Sequence, residues 1–104
     1  MSKYILTYFG GDEPATPEEG KKHFAKYQEW LGSLGNAAVS PMNPFRSTVT
    51  VNPDGSTTAG SNTRYTGYTV LEADSSEEAI HMAQSCPFLD IGGTLEVSEL
   101  IEMP

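Results

Sequence analysis

A single cysteine, Cys86, stands in the whole chain, so no intrachain disulfide can form. Packing alone must hold the fold, which fits a reducing compartment, and a cytoplasmic location is the expectation. Long apolar runs are also lacking. No stretch approaches the ~20 apolar residues of a membrane span, and the apolar run within residues 1–9 is too short for a signal peptide. Basic residues are few. Six Lys and Arg against fourteen Asp and Glu leave a formal net charge of −8, a surface that repels phosphate backbones and anionic lipid. Neither nucleic acid nor a membrane is an expected partner. No glycine-rich phosphate loop is present, so no nucleotide cofactor is expected. The two histidines, His23 and His81, lie far apart, and His23 has no carboxylate three or four positions further along its helix; no metal site is expected. What remains is chemistry without a cofactor.

What is present suits one domain spanning residues 1–104. Hydrophobic residues make up 38% of the chain and charged residues 19%. That is a lean core for its size, and a lean core often buries some apolar surface against a second copy.

Residues 3–9 read as a strand closed by Gly10-Gly11. Tyr4, Leu6 and Tyr8 share one face, Ile5, Thr7 and Phe9 the other. Both are largely apolar, which predicts a central strand covered on both sides. Thr16-Pro17-Glu18-Glu19 is a capped helix start. The helix runs to about Leu34, where Gly35-Asn36 stops it. Phe24, Tyr27, Leu31 and Leu34 form its expected core stripe, with His23 and Trp30 at the margins. Pro41 and Pro44 make residues 37–51 an irregular or edge strand region. Asn52-Pro53-Asp54-Gly55 is a turn, so 47–59 reads as a hairpin standing away from the main sheet. Residues 64–73 form the next strand. Ser75 and Glu78 cap a second helix, with Ala79, Ile80, Ala83 and Cys86 expected inward. The last strand, residues 95–101, alternates Leu95, Val97 and Ile101 against Glu96 and Ser98.

The order is βαβ, hairpin, βαβ. This predicts an α+β, ferredoxin-like fold: a four-stranded antiparallel sheet with two helices on one face. The helix-free face must be covered, and a second copy packing sheet against sheet would form a dimeric α/β barrel, so a homodimer is expected.

Several segments carry a resemblance. Lys3-Tyr4-Ile5-Leu6, Lys22-His23-Phe24-Ala25-Lys26-Tyr27, the run from Gly67 to Ser75 with Glu78-Ala79, Cys86-Pro87-Phe88 and the run from Gly92 to Val97 occur in order. Together they resemble the YCII-related family of dimeric α/β-barrel proteins along nearly the whole chain. The resemblance implies cofactor-free chemistry on small organic molecules; a few relatives are lyases on chlorinated aromatic rings. Two departures stand out. The Asp-Gly-Pro-Phe motif of one branch is replaced here by Thr58-Ala59-Gly60-Ser61-Asn62. The aspartate that another branch pairs with its helix histidine is replaced by Gly32-Ser33.

His23 is the candidate catalytic residue, since an imidazole exchanges protons near neutral pH. Tyr8, Tyr27, Trp30, Arg46 and Tyr68 are the candidate substrate-binding residues, shaping a flat pocket. Ser40 and Met42 are placed near the cleft by position alone. Lys21, Lys22 and Lys26 form a solvated helix face. His81 is expected on the surface, and Cys86 is expected to pack as a small hydrophobe. The expectation is a cofactor-independent enzyme with lyase- or isomerase-like acid–base chemistry on a small organic ligand. The alternative is a non-catalytic dimeric module that binds a small ligand or a protein.

Overall fold

The computed structural model describes residues 2–103. Strand β1 is Ser2–Gly10, helix α1 Pro17–Leu34, strand β2 Ala38–Pro44, and the hairpin strands β3 and β4 are Val49–Val51 and Thr57–Ala59. Strand β5 is Tyr65–Ala73, helix α2 Ser76–Gln84 and strand β6 Gly93–Leu100. Short 3-10 turns, Gly35–Ala37 and Pro87–Ile91, follow the two helices.

Both helix starts are fixed locally. The Thr16 hydroxyl accepts from the Glu19 amide at 3.1 Å, and the Glu19 carboxylate accepts in turn from the Ala15 amide at 3.1 Å. Ser75 accepts from the Glu78 amide at 3.2 Å. Such caps contribute about 1 kcal/mol each.

The main sheet is antiparallel in the order β2-β5-β1-β6, and β3 and β4 form a separate two-stranded sheet. Leu6 of β1 faces Thr69 on one side and Val97 on the other. The two-residue alternation then sends Tyr4, Leu6, Tyr8, Leu71 and Ala73 to one face. There they meet Tyr27 and Trp30 of α1, Ala79 and Ala83 of α2, and Cys86. Both helices therefore cover the same face. The Trp30 indole ties them together, donating to the Met82 carbonyl at 2.9 Å. Ile5, Thr7, Phe9, Tyr68 and Val70 occupy the opposite face and are only half-buried. This is the expected ferredoxin-like α+β architecture.

The structure departs from the sequence reading in four details. Phe24, expected in the core stripe, is 47% exposed, whereas Trp30, expected at its margin, is buried at 5%. The helix meets the sheet through Tyr27 and Trp30, with Leu31 and Leu34 packed beside them, so the buried stripe is rotated away from Phe24. Ile80, expected inward, is 44% exposed; Ala79 and Ala83, one turn apart, take the inward positions and leave Ile80 over the groove beside β6. Ile101 lies past the end of β6 and is exposed. Arg64 precedes β5, with φ 61°. The prolines of β2 act as expected: β2 is an edge strand whose register with β5 shifts twice, around Ser40 and before Asn43. The Asn52–Gly55 turn is also as read, with Gly55 at φ 87°.

Candidate functional site

The register shifts of β2 leave a cavity between α1, the ends of β1 and β5, and β2. Its volume is about 190 Å³. His23, Phe24 and Tyr27 form the α1 wall, Met42, Asn43 and Pro44 the β2 wall, and Tyr8, Thr66, Gly67 and Phe88 close the remainder. The lining is mainly apolar, with a few convergent polar groups, which is the usual make-up of a small-ligand site. An engineered apolar cavity of about 150 Å³ holds one benzene, so the space suits a single ring.

Gly67 makes the approach of β2 possible. A Cβ at this position would lie 2.9 Å from the Asn43 carbonyl oxygen and 3.1 Å from the Pro44 Cα. Any side chain here would push that wall outward.

The aromatic groups are mutually packed. Tyr8 and Phe88 have ring centroids 5.1 Å apart, Tyr8 and Tyr27 meet edge-on at 6.2 Å, and the His23 ring lies 6.5 Å from Tyr27. Beneath them is a cluster of hydroxyls. The Tyr8 phenol contacts both the Tyr27 phenol and the Thr69 hydroxyl. Thr69 donates to the Pro41 carbonyl at 2.6 Å. Burial raises the Tyr8 and Tyr27 phenols above the ordinary tyrosine value and pushes the Cys86 thiol up to about 11. At neutral pH these groups stay protonated and uncharged. Burial works against a Cys86 thiolate, and the residue packs as the small hydrophobe expected, at 2% exposure.

Of the sequence candidates, the structure brings Tyr8, His23 and Tyr27 together, and Met42 joins them. Three others are elsewhere. Tyr68 pairs with Thr7 on the helix-free face, because β5 sends Gly67, Thr69 and Leu71 toward the helices; its ring packs on Phe45 at 5.9 Å. Trp30 is core, its N–H engaged by Met82. Arg46 is an exposed residue of the segment after β2. Ser40 accepts from the Asn43 side chain at 3.0 Å and does not line the cavity. Phe24, Asn43, Thr66, Gly67 and Phe88 line the cavity without being sequence candidates for the site; Phe24 is an expected core residue, and Phe88 belongs to a segment that carries the family resemblance.

His23 also lines a second hollow, together with Asp12, Glu13, Glu19 and Asp90. Glu19 is held by the helix cap. The aspartate missing from the helix thus has carboxylates in the same neighbourhood, supplied by the loop after β1 and the turn after α2. Among the described residues no three His, Cys, Asp or Glu side chains stand close enough together to hold a metal ion.

Fold and cavity define a class: a ferredoxin-like α+β protein, with its pocket between the first helix and the sheet. Among solved structures, the chain is similar to 5-chloro-2-hydroxyhydroquinone dehydrochlorinase (TftG) from Burkholderia phenoliruptrix, determined in complex with 2,5-dihydroxybenzoquinone. The TM-score is 0.58 at 17% identity, covering 97% of this chain and 95% of the other. At that identity the likeness establishes the fold. No protein-family model and no curated protein matches the sequence. No helix among the described residues is long and apolar enough to cross a membrane.

Proposed function

We propose that this chain is a single YCII-related domain that works as a homodimer, without a cofactor, on a small, flat organic molecule held between α1 and β2. The observation that carries the reading is the ring-sized apolar cavity with one imidazole, His23, on its wall. His23 acts as the proton carrier, and Tyr8 and Tyr27 shape the floor. Support also comes from the structural neighbour, a dehydrochlorinase with a bound quinone. The reaction class is lyase- or isomerase-like proton transfer.

A second reading has its own observation. His23 shares its hollow with carboxylates, without a group of three that could hold a metal among the described residues. A non-catalytic dimer that captures a small ligand, or a protein partner, fits that arrangement.

His23→Ala separates the two. His23 is half-buried at the edge of the core, so the change should cost no more than ~1 kcal/mol of stability. If His23 carries a proton, turnover of a ring substrate should fall by about a hundredfold or more. If it only binds, affinity falls and no turnover exists to lose. A ligand-binding and turnover profile identical to that of the parent protein would remove His23 from the site.

A further inference from the structure

Among the described residues two that are not glycine hold a left-handed backbone, Ser47 at φ 56° and Arg64 at φ 61°. Side-chain-bearing residues adopt this region at a cost, and it persists where the surrounding structure enforces it. The two stand one at each root of the segment that carries β3 and β4, so they set the direction in which it leaves β2 and rejoins β5. The segment is bonded from base to tip. The Gly60 amide donates to the Thr48 carbonyl at 3.0 Å, and the Asn52 amide to the Ser56 carbonyl at 2.8 Å. No other strand among the described residues pairs with it. It is an arm that stands off the body. The radius of gyration is 15.1 Å, where a compact chain of this length has about 13 Å. Every residue from Arg46 to Arg64 is exposed except Thr50, Asn52 and Ser61, which are half-buried.

The arm has two unlike sides. Val49 lies opposite Ala59, Thr50 opposite Thr58 and Val51 opposite Thr57. Alternation therefore puts Val49, Val51, Thr57 and Ala59 on one side, and Thr50 and Thr58 on the other. The Thr50 side is polar and satisfies itself. Thr50 donates to the Gly60 carbonyl at 2.7 Å, and the Asn52 amide donates to Thr58 at 3.0 Å and to Ser56 at 3.1 Å. The valine side is open, with Val49 57% exposed and Val51 69%. A two-stranded hairpin is marginal in water by itself and gains stability from what packs on it.

Charge points to what that is. The arm holds Arg46 and Arg64, the only arginines of the chain, against the single carboxylate Asp54, a net +1; with the whole chain at −8, the remainder stands at −9. A basic arm and an acidic body are complementary, and a second copy brings both. The arm is also rooted where the copies are proposed to meet. Phe45, next to Arg46, packs its ring on Tyr68 of the helix-free face at 5.9 Å.

Resting on the homodimer proposed above, we infer that residues 46–64 are a clasp between copies: each chain lays the Val49–Val51 side of its arm on the acidic body of the other, with Arg46 and Arg64 set against that body's carboxylates. Two-fold symmetry makes the contact twice.

The test measures the dimer dissociation constant by sedimentation equilibrium at physiological ionic strength. Val49→Glu combined with Val51→Glu puts charge on the open side; both residues are exposed, so the fold should stand, as circular dichroism will check. The dissociation constant should rise by about tenfold or more. Arg46→Glu and Lys26→Glu give chains of equal net charge, and Lys26 is an exposed residue of α1. The arginine change should weaken the dimer by about threefold more than the lysine change. An unchanged constant in the double-valine variant would overturn the clasp and leave the sheet-face dimer standing. Equal weakening by the arginine and lysine changes would overturn the arginine contacts. A native protein that is monomeric at every concentration would overturn the clasp and the homodimer together.

Discussion

Tyr8 meets three demands at once: it packs on Phe88, bridges Tyr27 to Thr69 and sits across from Gly67 in the sheet. Its phenol, that of Tyr27 and the Cys86 thiol are all protonated in the fold because burial disfavours their anions. The sign of the resulting pH dependence follows. In each case the folded-state pKa lies above the unfolded one, so the unfolded chain releases its proton first. Stability is fully present below the unfolded values, about 8.5 for cysteine and about 10 for tyrosine, and falls as pH rises beyond them. Cys86 starts the loss between pH ~8.5 and its folded value of about 11, and the tyrosines continue it. The melting temperature should therefore fall steadily above about pH 9, and Cys86→Ala should flatten the first part of that fall. A melting temperature constant from neutral pH through the tyrosine range would contradict the burial of these groups.

At the scale of elements, the cavity exists because β2 runs close to β5 and then breaks register. Gly67 is the contact point, and Gly67→Ala would drive a Cβ to 2.9 Å from the Asn43 carbonyl oxygen. The obstacle is backbone, which cannot swing aside. The change should cost about 1–3 kcal/mol, as overpacking does, and weaken ligand binding by moving the Asn43 wall; an unchanged melting temperature and affinity would refute this role. The period of two in β1 and the period of 3.6 in α1 were legible as sequence, and they put Tyr8 and Tyr27 on the covered face and His23 beside them. The same alternation, read through Thr69, Leu71 and Ala73, places Tyr68 outside. The sequence reading grouped Tyr68 by its aromatic character instead of its register. Trp30, expected at the margin, is core instead, and Phe24 is not: a large indole facing α2 outweighs a phenyl ring facing a cavity. Asn43 and Thr66 carried no signal, since they reach the cavity only because β2 and β5 are brought together across the sheet.

For the molecule as a whole, the decisive feature is the sheet face opposite the helices. Ile5 and Val70 are direct partners at its centre, with Phe9, Tyr65 and Tyr68 near one end and Leu100 toward the other. The central pair is only half-buried, and Phe45 and Leu100 are exposed at 45% and 42%. The charged groups on this face are already matched in part. Glu96 accepts from the Tyr65 phenol at 2.5 Å, and Glu72 stands opposite Lys3. A second copy can therefore cover the face without stranding several charges. Each apolar Å² removed from water contributes about 25 cal/mol. Opposing this, each chain carries a net charge of −8, so two copies repel over the range that salt screens, about 10 Å at 0.1 M. The proposed homodimer should thus tighten with added salt, the reverse of an association held by ion pairs. Light scattering at micromolar concentration should give about twice the chain mass of 11.2 kDa, with the dissociation constant falling between low and physiological salt. Ile5→Lys places a charge at the centre of the face and should yield monomers without disturbing the helix side, because Ile5 points away from Tyr27 and Trp30. A native mass of 11.2 kDa at every salt concentration would sink the dimer, and an Ile5→Lys protein that still pairs would show that the sheet face is not where the copies meet.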